Sequence, residues 1–437
     1  MGSSRTINSG ISLFEIEYGR WIEEQDRQNE ELRNALQTNA SDIQLHLLVE
    51  SSLNQYSNLF RMKAEAAKID SLYLISGAWK KPLERLFLWF GGSCPSQLLN
   101  IVVPKLDALT DQQIVNVNNL RLSSLQAEDA LTEGLEKLQQ SMINNIQADP
   151  LDFGNYGFQM AAAAIEKVEA LESFVNQADH LRQQTLVYMS RILTIVQAAQ
   201  GLLAMGDYFH RLRTCSSLWT SRSSGISLFE IEYGRWIEEQ DRQNKELRNA
   251  LHNNASDIQL HLLVESSLNQ YSNLFRMKAE AAKTDVFYLI SGVWKKPLER
   301  LFLWFGGYHP SQLLNIIVPK VDALTDQQIV DINNLRLSIL QAEEALTQVL
   351  EKIKQSMISS IQADPMDFGN HGFQMAAAMD KVEAVPSFII QADHLRQETL
   401  VQMSHILTIR QAAQGFLAMG GYFHLLRNFR TRLMSKI

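Results

Sequence analysis

One fifteen-residue stretch, ISLFEIEYGRWIEEQ, occurs at residues 11–25 and again, unchanged, at residues 226–240. The match extends without a gap over residues 11–92 and 226–307, which differ at only seven positions. It then continues with more substitutions and one single-residue deletion. A repeat of about 200 residues has the size of a whole domain and is far longer than the units that build solenoids. The chain is therefore predicted to contain two similar domains in tandem.

The ends of the repeat predict where the domains begin and end. We expect a flexible N-terminus at residues 1–10, a first domain at 11–214, a linker at 215–225 and a second domain at 226–437. A linker of about ten residues spans at most ~35 Å, and it holds each domain near the other at an effective concentration of order mM. Self-association between the copies is therefore an expected interaction.

Apolar residues recur at helical spacing in both copies. In the first copy Phe14, Tyr18 and Trp21 share one side of a helix, with Glu23 and Asp26 on the other, which is the pattern of an amphipathic helix. Proline is scarce, and the alternation typical of strands is rare. The predicted fold class is all-α, with two tandem helical bundles built from long amphipathic helices.

Several local signals predict where these helices begin and end. Pro82 is predicted to begin a helix that ends at Gly91 and Gly92, and a last helical stretch is expected from about Phe158 to Leu212. In a capping box, a Ser or Thr and a Gln three residues later exchange hydrogen bonds with each other's backbone. Such boxes are predicted at Ser41/Gln44 and Thr110/Gln113, with equivalents at Ser256/Gln259 and Thr325/Gln328.

Composition excludes several classes of protein. The net charge of −8 disfavours an intrinsic nucleic-acid surface, which needs basic patches. Cys94 and Cys215 are the only cysteines, and neither recurs in the second copy. We therefore expect no disulfide framework, and we expect the protein to be in a reducing compartment. The sequence contains no apolar run of about 18 residues, so no membrane span is predicted. The start, MGSSRT, fits the N-myristoylation pattern at Gly2, with a plain flexible end as the alternative.

The sequence contains none of the common catalytic or metal-binding motifs, such as HExxH, CxxC, GxxxxGK[ST] or GxSxG. The nearest metal-like pattern is Asp207-x-x-His210, and Gly421 replaces the aspartate in the second copy. We therefore expect no catalytic residues, no metal ligands and no enzymatic activity.

The stretch LISGAWKKPLERLFLWFGG is unusually rich in aromatic residues, and it is repeated in the second copy. One interpretation is hydrophobic core; the other is an aromatic-lined slot for an acyl chain or for a partner's anchor residue. The candidate slot residues are Trp79, Phe87, Trp89 and Phe90 in the first copy, and Trp294, Phe302, Trp304 and Phe305 in the second.

Long motifs follow one another in the same order along the chain. In the first copy they include EYGRWIEEQDRQNEELRNAL, LISGAWKKPLERLFLWFGG, LTDQQIVNVNNLRLSSLQAEDALTEGLEKLQQS and QADHLRQQTL. In this order and spacing they resemble the C-terminal regulatory domain of plant TGA-class bZIP transcription factors, which the Delay-of-Germination seed-dormancy proteins share. The resemblance covers nearly all of both copies and implies a nuclear regulator of transcription.

The resemblance also implies partners and ligands. TGA factors bind TGACG-type promoter elements and recruit ankyrin-repeat co-activators of salicylate signalling through this domain. The domain is expected to accept a fatty-acid-like ligand, and its dormancy relatives are linked to haem; otherwise no cofactor is expected.

The chain departs from TGA factors in the segment that precedes the first copy. Only ten residues, with one arginine, precede Ile11, whereas a DNA-reading basic helix is dense in Lys and Arg. We therefore expect a nuclear, or alternatively cytoplasmic, regulatory module that binds these co-activators or full-length TGA factors and contacts DNA only indirectly. The alternative is a sensor that binds an acyl chain or haem.

Overall fold

The computed structural model describes residues 2–146, 156–219, 224–362 and 384–434. These residues contain fourteen α-helices and no β-strand, and two isolated bridges are the only strand-like pairing among them. The all-α prediction is confirmed. Of the described helices, none combines the length and the apolar character needed to cross a bilayer.

The first copy is built from seven helices. They are α1 (Gly2–Gln37), α2 (Asp42–Ile75), α3 (Pro82–Leu86), α4 (Pro95–Val102), α5 (Asp111–Ile146), α6 (Tyr156–Ile192) and α7 (Ile195–Trp219). The second copy repeats them. Its helices are α8 (Ser224–His252), α9 (Asp257–Ser291), α10 (Pro297–Leu301), α11 (Pro310–Ile317), α12 (Asp326–Gln362), α13 (Val385–Ile406) and α14 (Ile409–Met434).

The long helices of each copy pack into a bundle around one core. In the first copy α2 lies against α1, α6 and α7, while α5 packs on the far side of α6. The short helix α4 fills the gap between α5 and α7. The second copy repeats this arrangement with α9 at its centre. Since every long helix buries one apolar stripe in this way, the bundle follows directly from the helical spacing of the apolar residues.

The predicted helix starts are confirmed. Ser41 caps α2 by accepting a hydrogen bond from the backbone N–H of Gln44 at 3.4 Å. At the start of α5, Thr110 Oγ1 accepts from the backbone of Gln113 at 3.2 Å, and Gln113 Oε1 accepts from the backbone of Thr110 at 3.0 Å. The second copy makes the same contacts. These signals succeed because capping depends on residues only three positions apart.

Two helix boundaries differ from the predictions. The helix that begins at Pro82 ends at Leu86, before the two glycines. Residues 89–92 form a separate tight turn instead, in which Phe90 and Gly91 adopt left-handed φ angles of 43° and 68°. In addition, the helical stretch predicted from about residue 158 to 212 is divided into two helices. They are separated at Thr194, which forms its own capping box with Gln197.

The helices also extend into segments predicted as flexible or linking. The first helix already begins at Gly2, within residues 1–10. At the other end of the copy, α7 continues to Trp219 and α8 begins at Ser224. Helical residues therefore occupy much of the segment 215–225, while the domain boundaries themselves stay a prediction.

Candidate functional site

Each copy encloses a small cavity at the centre of its bundle, where cationic and aromatic side chains meet. In the first copy its volume is about 60 Å³, and its walls come from α1, α2, α6, α7 and the loops on either side of α3. Four cationic side chains line it, namely Lys63, Lys80, Arg182 and Arg213. Five aromatic side chains complete the wall, namely Trp21, Tyr56, Phe60, Trp79 and Phe209. An internal space with this much positive charge is unusual for a protein core.

A buried ion-pair network forms one wall of this cavity. Lys63 Nζ on α2 donates to Asp179 Oδ1 on α6 at 2.6 Å, and Arg182 Nη1 reaches the same oxygen at 2.5 Å. All three residues are at least 96% buried, with exposed fractions of 1%, 4% and 3%. The second copy repeats the network with Lys278, Asp393 and Arg396. One carboxylate thus compensates two buried cations in each copy.

Arg182 also holds the loop that follows α3. Its Nε donates to the Ser93 carbonyl at 2.8 Å, its Nη2 donates to the Trp89 carbonyl, and both Nη atoms lie 3.4 Å from the Phe90 carbonyl. The fork geometry of a guanidinium permits these contacts together with the bond to Asp179. Arg182 therefore ties the aromatic turn to α6.

Another cationic side chain of the cavity, Lys80, packs against aromatic residues. Its Nζ donates to the Tyr18 hydroxyl at 2.7 Å and to Glu84 Oε1 at 3.2 Å, and it lies 4.5 Å from the ring centre of Trp79. Trp79 in turn makes an edge-on contact with Tyr18 at 4.5 Å. Such cation–π and aromatic contacts stabilise a desolvated ammonium group.

Burial lowers the pKa of Lys63 from 10.5 to about 7, although Asp179 opposes this shift. Lys278 in the second copy behaves in the same way. Between pH 7 and pH 10.5 the folded chain therefore binds fewer protons at these lysines than the unfolded chain does. By linkage, the free energy of unfolding increases with pH in this window.

We expect this increase to be about 1 kcal/mol per pH unit for each lysine between pH 7.5 and pH 8.5. Urea unfolding curves at several pH values in this range provide the measurement. The Lys63→Met/Lys278→Met double variant should lose the increase, since methionine does not titrate. A wild-type curve that is flat or falls with pH would contradict the expectation.

An apolar cavity of about 30 Å³ adjoins the cationic one in the first copy. The two share Leu98, Leu186 and Met205 as wall residues. The two cavities are therefore neighbours, one lined by cationic and aromatic side chains and the other mainly by apolar ones. A cavity needs about 10–15 Å³ to hold one water molecule, so each of these cavities holds a few waters, and a long acyl chain enters only if side chains move apart.

The second copy's cavity is narrower, because Tyr308 stands where the first copy has Ser93. Its volume is about 40 Å³. The Tyr308 ring stacks on Phe423 with centres 4.3 Å apart, and its hydroxyl donates to Glu299 Oε1 at 3.1 Å. The two cavities are therefore not equivalent.

The aromatic residues predicted to form one slot are found in different places. Trp79 lines the cationic cavity, whereas Phe87 and Phe90 are buried outside its lining, with exposed fractions of 5% each. Trp89 is half-buried, makes an edge-on contact with Phe90 at 4.9 Å and donates to Thr132 Oγ1 at 3.1 Å. In the second copy, Trp294 lines the cavity, and Phe302, Trp304 and Phe305 are buried.

The two residues of the Asp-x-x-His pattern bind different partners. Asp207 pairs with Arg33 at 2.6 Å, whereas His210 contacts Asp26 at 3.3 Å. Among the described residues, no cluster of three His, Cys, Asp or Glu side chains is arranged to hold a metal ion. Burial raises the pKa of the Cys94 thiol to about 12, which leaves it protonated at neutral pH.

An exposed apolar stripe runs along the long helix of each copy. On α5 it consists of Ile114, Val115, Leu122 and Leu125, which fall within about 100° of arc on a helix and are 40–59% exposed. The equivalent residues of α12 are Ile329, Val330, Leu337 and Leu340, with exposed fractions of 44–61%. Exposed apolar surface of this kind is typical of protein interaction sites.

Comparison with known proteins finds several that are similar to the repeated unit. The family model described as DOG1, seed dormancy control, matches residues 28–104 and again residues 243–319. Transcription factor TGA7 of Arabidopsis thaliana is 57% identical over 222 residues, which are 51% of this chain and 60% of the relative. The TGACG-sequence-specific DNA-binding protein TGA-1A of Nicotiana tabacum is 52% identical over 219 residues, 50% of this chain and 61% of the relative. The chain thus spans about 60% of the length of these relatives.

Proposed function

We propose that this chain, which carries two seed dormancy control domains and is related to TGA transcription factors, regulates transcription in the nucleus by binding other proteins. The observation that carries the proposal is the 57% identity to transcription factor TGA7 over 222 residues. The partners are ankyrin-repeat co-activators of salicylate signalling or full-length TGA factors. Contact with DNA goes through the partner, since the net charge of −8 disfavours phosphate binding.

The exposed stripes on α5 and α12 are the contact surface that this function would use. Both copies keep four apolar side chains in solvent at equivalent positions, and contiguous exposed apolar surface marks protein interaction sites. Because the stripe occurs twice in one chain, two partner molecules, or both halves of a dimeric partner, can be bound together.

A binding assay with purified partners tests this proposal. We expect the chain to bind an ankyrin-repeat salicylate co-activator or transcription factor TGA7, and Leu122→Glu/Leu337→Glu to weaken binding at least about tenfold, since a hot-spot residue contributes 2 kcal/mol or more. Ile43→Glu/Ile258→Glu is the matched control, because Ile43 and Ile258 are exposed apolar residues on α2 and α9. The proposal is wrong if neither partner binds the wild-type chain.

A second candidate function is supported by the internal cavities. The first copy places a cavity lined by four cationic side chains next to an apolar cavity, which matches the chemistry of a molecule with an anionic head and an apolar tail, such as a fatty acid. Haem is the other ligand of this candidate. The chain would then act as a ligand sensor, with binding that depends on an opening of the bundle.

Native mass spectrometry with palmitate, and absorbance at the Soret band with haem, test this second function. The difference between the copies supplies matched variants. Ser93→Tyr introduces the second copy's side chain into the first cavity and should reduce the amount of bound ligand, whereas Tyr308→Ser should increase it. If neither palmitate nor haem binds the wild-type chain or Tyr308→Ser, the sensor function is excluded for both ligands.

A further inference from the structure

Part of the contact between the two copies uses the same residues in reciprocal positions. Helix α3 of the first copy packs on α9 of the second, and α10 of the second packs on α2 of the first. Arg85 Nη1 donates to Ser291 Oγ at 3.2 Å, and Arg300 Nη1 lies 3.4 Å from Ser76 Oγ. Arg85 is equivalent to Arg300, and Ser76 to Ser291. The two hydrogen bonds are therefore related by an approximate two-fold axis, as in the interface of a symmetric dimer.

Each arginine is held rigidly by its own copy before it reaches the other. Arg85 Nε donates to the carbonyls of Gly77 at 3.0 Å and Lys80 at 2.9 Å, and its Nη2 donates to the Ala78 carbonyl at 3.1 Å. Arg300 makes the equivalent contacts in the second copy. Since the side chain is ordered within its own loop, pairing with the other copy costs little further conformational entropy.

The charges across the contact are also arranged reciprocally. Burial lowers the pKa of Arg85, the nearby charge of Arg300 adds to this effect, and Asp285 of the second copy opposes it. For Arg300, burial again lowers the pKa, and Asp70 of the first copy opposes it. Each guanidinium is thus compensated by an aspartate of the opposite copy, which is the complementarity that selects a specific partner.

Within residues 11–92, the differences between the copies are concentrated near this contact. Seven positions differ between residues 11–92 and 226–307, and four of them fall between residues 69 and 78. That ten-residue stretch includes Asp70 and Ser76, which face Arg300. The four pairs are Ile69/Thr284, Ser71/Val286, Leu72/Phe287 and Ala78/Val293. The surface has therefore changed more than the rest of the first 82 repeated positions, while the arginine, serine and aspartate of the contact are the same in both copies.

We propose that this surface, formed by residues 70–86 in the first copy and 285–301 in the second, is a docking site for a second domain of the same type. In this chain the other copy occupies it. The inference is independent of the proposed function. It implies that the chain is a monomer with its two domains paired, and that the outer partners bind elsewhere, for example at the stripes on α5 and α12.

Cleavage of the chain between its copies tests this inference. A protease recognition sequence replaces residues 220–223, and the cut protein is analysed by size-exclusion chromatography with light scattering. We expect the two halves to elute together at the mass of the intact chain, 49.7 kDa. Arg85→Glu and Arg300→Glu should each raise the dissociation constant of the halves at least about tenfold, and by similar amounts, because the two contacts are equivalent.

Two controls keep the test decisive. Arg27→Ala/Arg242→Ala changes arginines that are 57% exposed and pair only with glutamates of their own helix, and it should leave the halves together. If a glutamate variant unfolds, Ser76→Lys/Ser291→Lys places a cation opposite each arginine without removing the arginine's bonds to its own loop. Separation of folded wild-type halves would overturn the inference, as would pairing that survives both the arginine and the serine variants.

Discussion

Replacing Asp179 with asparagine is expected to lower the free energy of unfolding by about 3–5 kcal/mol, because it leaves a buried cation without its counter-charge. Asp179 compensates both Lys63 and Arg182. Lys63 can release its proton, since its pKa is already about 7, but a guanidinium remains charged. The cost therefore falls mainly on Arg182, and the pH dependence that Lys63 contributes should extend to lower pH, because loss of Asp179 lowers the pKa of Lys63 further.

Urea unfolding followed by circular dichroism measures this cost, and hydrogen exchange shows where it falls. The protection of backbone amides from exchange should decrease first in α2 and α6 of the first copy, before it changes in α9 and α13 of the second. The matched control is Glu65→Gln, which removes the partner of Lys68 from an ion pair that is more than half exposed on both sides; it should change stability by less than about 0.5 kcal/mol. Equal effects of the two substitutions would contradict the burial argument.

The second large effect is expected for Arg182→Lys. This substitution keeps the positive charge but removes the planar guanidinium group with its several N–H donors. A lysine cannot bind Asp179 and the carbonyls of Trp89, Phe90 and Ser93 at the same time. We expect the free energy of unfolding to decrease by about 2–4 kcal/mol, since buried carbonyls lose their hydrogen-bond donors. Residues 89–93 should also exchange their amide hydrogens faster.

The chain supplies two comparisons for this variant. Arg396→Lys should have the same effect in the second copy, where Arg396 binds Asp393 and the carbonyls of Trp304 and Tyr308. Arg27→Lys, at an arginine that is 57% exposed, should be nearly neutral. If Arg182→Lys leaves hydrogen exchange at residues 89–93 unchanged, the arginine does not hold that loop.

The sequence predicts the fold well wherever the signal is local. Capping boxes involve residues three positions apart, and the apolar stripe of α1 is visible from its spacing alone. The missed break at Thr194 was also local, since Thr194 and Gln197 form the same kind of box. The tight turn after α3 was harder to predict, because the left-handed φ of Phe90 is unusual for an aromatic residue.

The candidate site was predicted less well, because its parts come from distant segments. One signal was available: Lys63 lies on the buried stripe of α2, together with Tyr56, Leu59 and Ala66, where a charged residue requires a buried partner. The identity of that partner, 116 positions further along the chain, depends on how α2 packs against α6. Periodicity does not contain this information.

The contact between Arg85 and Ser291, and its counterpart between Arg300 and Ser76, has a consequence for behaviour at low abundance. Two separate domains that pair weakly come apart on dilution, so their paired fraction follows how much protein a cell makes. Joining them in one polypeptide removes that dependence. A few molecules per cell would present the same two-domain assembly as many, and changes in expression would alter its amount without altering its form.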